Sequence, residues 1–175
     1  MTERERFISL YRAQVRQTLD FVTPIQPEDY DRVPIDNEHM FMGKRINRIH
    51  VSSILRHLIV AEQHWFTSLA EVRQGGSIPL PSNAAAVRDL PDAELADTLL
   101  SVSEAGIARV QDFTPARLAT HFTFYGLPFT VMGFLWMLYG HQGFHKGQLD
   151  LLMRQLDYSP GEYLDYRVMP SQLLG

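Results

Sequence analysis

Seven histidines and no cysteine define the side-chain chemistry open to this chain. His141 and His145 stand four residues apart in the segment HQGFHKGQL. On a wheel turning about 100° per residue, Phe134, Leu138, His141, His145, Leu149 and Leu152 fall on one stripe, so both imidazoles take places otherwise given to core residues. A buried imidazole without a partner costs on the order of 1–3 kcal/mol. A divalent ion would satisfy both rings, since nitrogens at i and i+4 can converge on it at about 2.0–2.1 Å. A hydrogen-bonded pair of core histidines fits the same spacing.

A third ligand must come from another helix. His50, His57 and His64 repeat every seven residues, about 10 Å apart along a helix axis, so one of them at most can join the pair. His57 is the expected ligand because it lies beside Ile54, Leu58 and Ala61, whereas His50 falls near the predicted helix start. His64 is left as a partly exposed residue or an outer member of the site. Three neutral imidazoles with an open position match catalytic rather than structural zinc, and a bound water or thiol would lose its proton near neutral pH. Attack by a thiolate on an electrophile and attack by hydroxide on an ester or amide both fit such ligands. A thiol would have to arrive with a second substrate, because the chain has none. Gln148, on the same helix face as His141, could orient a ligand or water. Glu62 could accept a proton, although a solvated or salt-bridged helix glutamate is the plainer reading. Trp65, Phe124, Phe129 and Trp136 read as core.

These residues need helices to carry them. Thr2 and Glu5 have capping-box spacing, and Phe7, Leu10, Tyr11, Val15, Leu19 and Val22 recur at helical intervals, predicting a helix from about Glu3 to Phe21. Pro24, Pro27 and Pro34 interrupt a long connection reaching about Asn47, which should contain a short turn near Glu28 to Arg32 or cover a site. A second helix is predicted from about Ile49 to Gln74, closed by Gly75 and Gly76. A third is predicted from Pro91 to about Phe113, and a fourth from a Thr130 cap to about Leu156. HFTFYGLPFT reads as a short hairpin turning at Tyr125 and Gly126. Four long amphipathic helices make an all-α four-helix bundle the expected fold, as one domain over residues 1–175. Gly133, Gly140 and Gly147 repeat every seven residues, which predicts close approach of a neighbouring helix, in the bundle or across a dimer.

The remaining features narrow the partners. The 175 residues carry a net charge of −4, with basic residues only in short groups such as Lys44, Arg45 and Arg48. Nucleic-acid binding needs a basic stripe and is not expected. The start MTERERF is charged where a signal peptide would be apolar, and the longest apolar run, Leu127 to Tyr139, is shorter than the roughly 20 residues that span a bilayer. A cytoplasmic protein without membrane association is expected. Ferritin-like Glu-x-x-His pairs on helices and the HExxH motif are both absent.

HQGFHKGQL resembles the HxxxHRGQL signature of the DinB/YfiT-like metalloenzyme family, with Lys146 where that family more often has Arg. HLIVAEQHW, from His57 to Trp65, is similar to the family's second-helix pattern, and LDYSPGEYLDY to its usual continuation. The resemblance implies a four-helix bundle, often a homodimer, with a three-histidine site at His57, His141 and His145 for zinc, nickel or a similar ion. It also implies a small-molecule substrate and, from characterised relatives, a thiol-dependent S-transferase using a low-molecular-weight thiol. A metal-dependent hydrolase and a non-catalytic, stress-associated metal-binding module are the alternatives.

Overall fold

In a computed structural model, residues 1–42, 47–82 and 84–161 are described. Lys44, Arg45 and the end of the LDYSPGEYLDY segment lie outside them.

Helix α1, Glu3–Val22, starts on a reciprocal capping box: the Glu5 amide donates to Thr2 Oγ1 and the Thr2 amide to the Glu5 carboxylate, which satisfies two otherwise free N–H groups. A 3-10 turn at Pro27–Asp29 and a two-residue antiparallel pair, β1 (Phe41–Met42) with β2 (Asn47–Arg48), occupy the long connection. Helix α2, Val51–Glu71, begins later than its apolar period implies because His50 caps it, its Nδ1 accepting from the Ser53 amide while the Ser53 hydroxyl accepts from the His50 amide. It also ends earlier, where Val72 turns extended.

Strand β3, Gly76–Ile78, was not apparent in the sequence. It runs parallel to β4, His121–Phe124, which pairs antiparallel with β5, Leu127–Thr130. The predicted hairpin is thus real but forms part of a three-stranded sheet. Its turn places Tyr125 and Gly126 at φ 54° and 77°, the left-handed pair a tight two-residue hairpin requires. Helix α3 spans Asp92–Gln111 and a one-turn helix α4 spans Pro115–Leu118. Helix α5, Val131–Gln155, is capped by Thr130 Oγ1, which accepts from the Gly133 amide at 3.0 Å.

The four long helices form a bundle. Its extensive contacts are α1 with α3 and α5, and α2 with α3 and α5, so α1 and α2 stand at opposite corners. That diagonal placement accounts for the length of the connection between them. Two apolar clusters fill the interior: one holds Phe7, Tyr11, Trp65, Phe66, Phe134 and Leu138, the other Val22, Ile54, Leu58, Leu99, Leu149 and Leu152. A close helix approach is made by a glycine outside the predicted series. A Cβ on Gly106 would lie 2.2 Å from the Phe66 ring, whereas one on Gly140 or Gly147 would meet nothing within 4 Å. The expected packing of Gly140 and Gly147 against a neighbour inside the bundle is therefore corrected. Among the described residues no helix is long and apolar enough to cross a membrane.

Candidate metal centre

The level between the two apolar clusters holds the histidines. His57 projects from α2 and His141 and His145 from successive turns of α5, and one nitrogen of each lies within 4.8 Å of the other two. His57 Nε2 is 3.0 Å from His141 Nε2, which is 3.2 Å from His145 Nε2. A tetrahedral ion bound at about 2.05 Å would hold its ligand atoms about 3.3 Å apart, so these separations suit one.

The proton inventory points the same way. His145 Nδ1 donates to Gln148 Oε1 at 2.8 Å, which leaves its Nε2 as a lone pair. A neutral His141 ring has at most one proton at Nε2, and that proton cannot serve both neighbouring nitrogens. Lone pairs therefore face one another across the centre, an arrangement a cation would satisfy. Burial pushes His57 below the ordinary imidazole range. Burial, then repulsion from the neighbouring rings, takes His141 to about 3. Burial and the His57 ring lower His145 to about 4, against the opposing bond to Gln148. At neutral pH the rings are uncharged, the form that coordinates metal.

The other predicted residues fall in different places. His64 Nε2 donates to the Pro79 carbonyl at 2.9 Å and stands apart from the three rings. His50 is the cap of α2 and lies 3.2 Å from Asp31. Glu62 is neither solvated nor salt-bridged: it is wholly buried, one oxygen accepting from Gln142 Nε2 at 2.7 Å and the other from the Ser103 hydroxyl. Burial pushes its carboxyl up to about 7, against the opposing hydrogen bonds of Ser103, Gln142 and the Tyr11 hydroxyl. Lys146 is also buried, its Nζ donating to Gln17 Oε1 at 2.8 Å. Trp65 packs edge-to-face on His141 at 5.0 Å between ring centroids and walls the centre from the core behind it. Phe144 stands beside His145 at 5.1 Å and is 64 % exposed, an apolar ring open to an incoming molecule. Sequence reasoning missed Thr18, Ser103 and Gln142, whose only signal was a lone polar residue on an apolar helix face.

A family model described as the DinB superfamily matches residues 9–149. Among solved structures, YfiT from Bacillus subtilis, described as a probable metal-dependent hydrolase with an unusual four-helix bundle topology, superposes with a TM-score of 0.68 at 14% identity, covering 89% of each chain. A DinB-like protein from Bacillus cereus gives 0.66 at 19% identity over 90% of this chain and 95% of that one. The DinB-like YjoA of Bacillus subtilis gives 0.65 at 15% identity, with the same coverages. At such identities the likeness shows the fold. No curated protein matches the chain.

Proposed function

The chain belongs to the DinB superfamily, and from that premise we propose that it is a divalent-metal-dependent enzyme whose ion is held by His57, His141 and His145. The carrying observation is the meeting of three ring nitrogens from two helices within 4.8 Å of one another. A zinc- or nickel-class ion bound there supplies Lewis acidity that makes a coordinated thiol or water more acidic. The chain's own residues do the rest. Gln148 fixes the His145 ring and leaves its Nε2 free. Trp65 backs the His141 ring. Phe144 offers an apolar contact to a small-molecule substrate at the open side.

We read the reaction as S-transfer with a low-molecular-weight thiol as cosubstrate, because the chain provides no cysteine nucleophile. A hydrolase is the second reading, favoured by the description of YfiT. The test begins with elemental analysis of untagged protein, expected to find about one equivalent of metal in wild type and little in His57→Ala. Thiols are then screened with electrophilic probes, and esters and amides without thiol. Thiol consumption that requires His57 supports the transferase, and thiol-independent hydrolysis supports the hydrolase. Stoichiometric metal with neither activity leaves a non-catalytic metal-binding module. Metal-free wild type overturns the proposal.

A further inference from the structure

A second polar constellation shares the level of the histidines, with one residue from each long helix. Thr18 of α1, Glu62 of α2, Ser103 of α3 and Gln142 of α5 expose no surface. Thr18 Oγ1 lies 3.2 Å from Gln142 Oε1 and 3.0 Å from the Gln14 carbonyl, which share its proton. Gln142 Nε2 donates to Glu62 Oε1 at 2.7 Å, and the Ser103 hydroxyl donates to Glu62 Oε2. The result is one hydrogen-bonded chain across the bundle.

As a device for stability alone this is a poor choice. The Glu62 carboxyl is buried with no cation beside it among the described residues, and apolar residues of similar volume commonly hold a core as well or better. What leucine cannot supply is register. Apolar contact is non-directional, whereas a hydrogen bond weakens beyond about 3.2 Å and below about 120°. Single buried polar groups are used in this way to fix register in coiled coils. Here the bond falls where register matters: Gln142 follows His141 directly on α5, and Glu62 lies little more than one turn beyond His57 on α2. It therefore ties together the two helices whose imidazoles must meet, in a centre that tolerates only about 0.5 Å of misplacement.

We propose that Glu62 and Gln142 are positioning residues for the three-histidine centre, holding α2 and α5 at the one register in which His57 reaches His141 and His145. The proposal rests on the metal reading above.

The test uses Co(II) as the probe, added to the metal-free full chain. Its affinity is read by chelator competition and its coordination by the visible absorption band. Glu62→Gln can still accept from Gln142 and bond Ser103, so it should bind within about threefold of wild type and keep the spectrum. Glu62→Leu combined with Gln142→Leu removes both partners and leaves an apolar contact. It should melt cooperatively, yet bind Co(II) at least about tenfold more weakly, with an altered band. Gln142→Met, which keeps the volume, is read the same way and decides the matter if the double variant does not fold. Wild-type affinity and spectrum in a folded variant lacking the Glu62–Gln142 bond overturn the positioning role while the metal reading stands. Wild type that takes up no Co(II) removes both.

Discussion

His145 Nδ1–H donates a hydrogen bond to Gln148 Oε1, one turn further along α5, at 2.8 Å. That bond fixes both the ring's orientation and the nitrogen that carries the lone pair. Gln148→Ala should therefore weaken zinc binding about tenfold to a hundredfold without unfolding the chain, and Gln148→Glu, which still accepts, should largely retain it. Equal zinc affinity in the alanine variant would show that the ring is held by other contacts.

Metal should stabilise wild type by mass action. At a free zinc concentration about 100 times Kd the gain is about 2.7 kcal/mol, or roughly 5–11 °C in Tm for a chain of this size. His57→Ala and His141→Ala should lose most of that shift. Thermal melts with and without zinc check it independently of any substrate.

The metal-free protein should respond to acid in a defined direction. His57, His141 and His145 take up protons less readily folded than unfolded, with His141 near 3 and His145 near 4. Their contribution to stability is lost as pH falls from about 6.5 toward 4. Glu62, raised to about 7, acts oppositely: it binds its proton more tightly folded, so its contribution is lost as pH rises from about 4.5 through 7. Three groups outweigh one, and Tm should drop between pH 7 and pH 5. Glu62→Gln removes the opposing contribution, so its Tm relative to wild type should rise from pH 5 to about pH 7 and level off above it. A flat difference would mean that Glu62 does not titrate in this range.

Two glycines should give opposite answers. Gly106→Ala drives a methyl into the Phe66 ring and should cost about 1–3 kcal/mol. Gly140→Ala meets open space on an exposed turn of α5 and should gain about 0.5–1 kcal/mol from helix propensity. Gly140, Phe144, Gly147 and Leu151 share that outward face. If the homodimer that the family resemblance implies forms through it, Gly147→Leu should shift the protein to monomer in sedimentation.

The histidines, the four helices and the hairpin were legible because each follows a local rule: a period of 3.6, a cap, or a turn requiring left-handed backbone. β3 was not, since three residues carry no period and its partner lies 46 residues away. Glu62 was misread for a related reason. Its neighbours in sequence, Gln63 and His64, imply solvent, and only the docking of α3 and α5 shows that its carboxyl is enclosed. Gly106 reads in sequence only as a weak point of its helix, because close approach depends on the ring opposite rather than on spacing along its own helix.

His57 and His141 are separated by 84 positions along the backbone. Their rings come together only when α2 and α5 dock, so an ion at the proposed site would find no assembled cradle on the unfolded chain and would enter late. Refolding rates should accordingly be similar with and without zinc. Escape from the native state should be much slower once the ion is seated, because the two helices cannot separate without releasing it. Metal bound at the proposed site would then act as a latch on a finished structure rather than as a seed for an unfinished one.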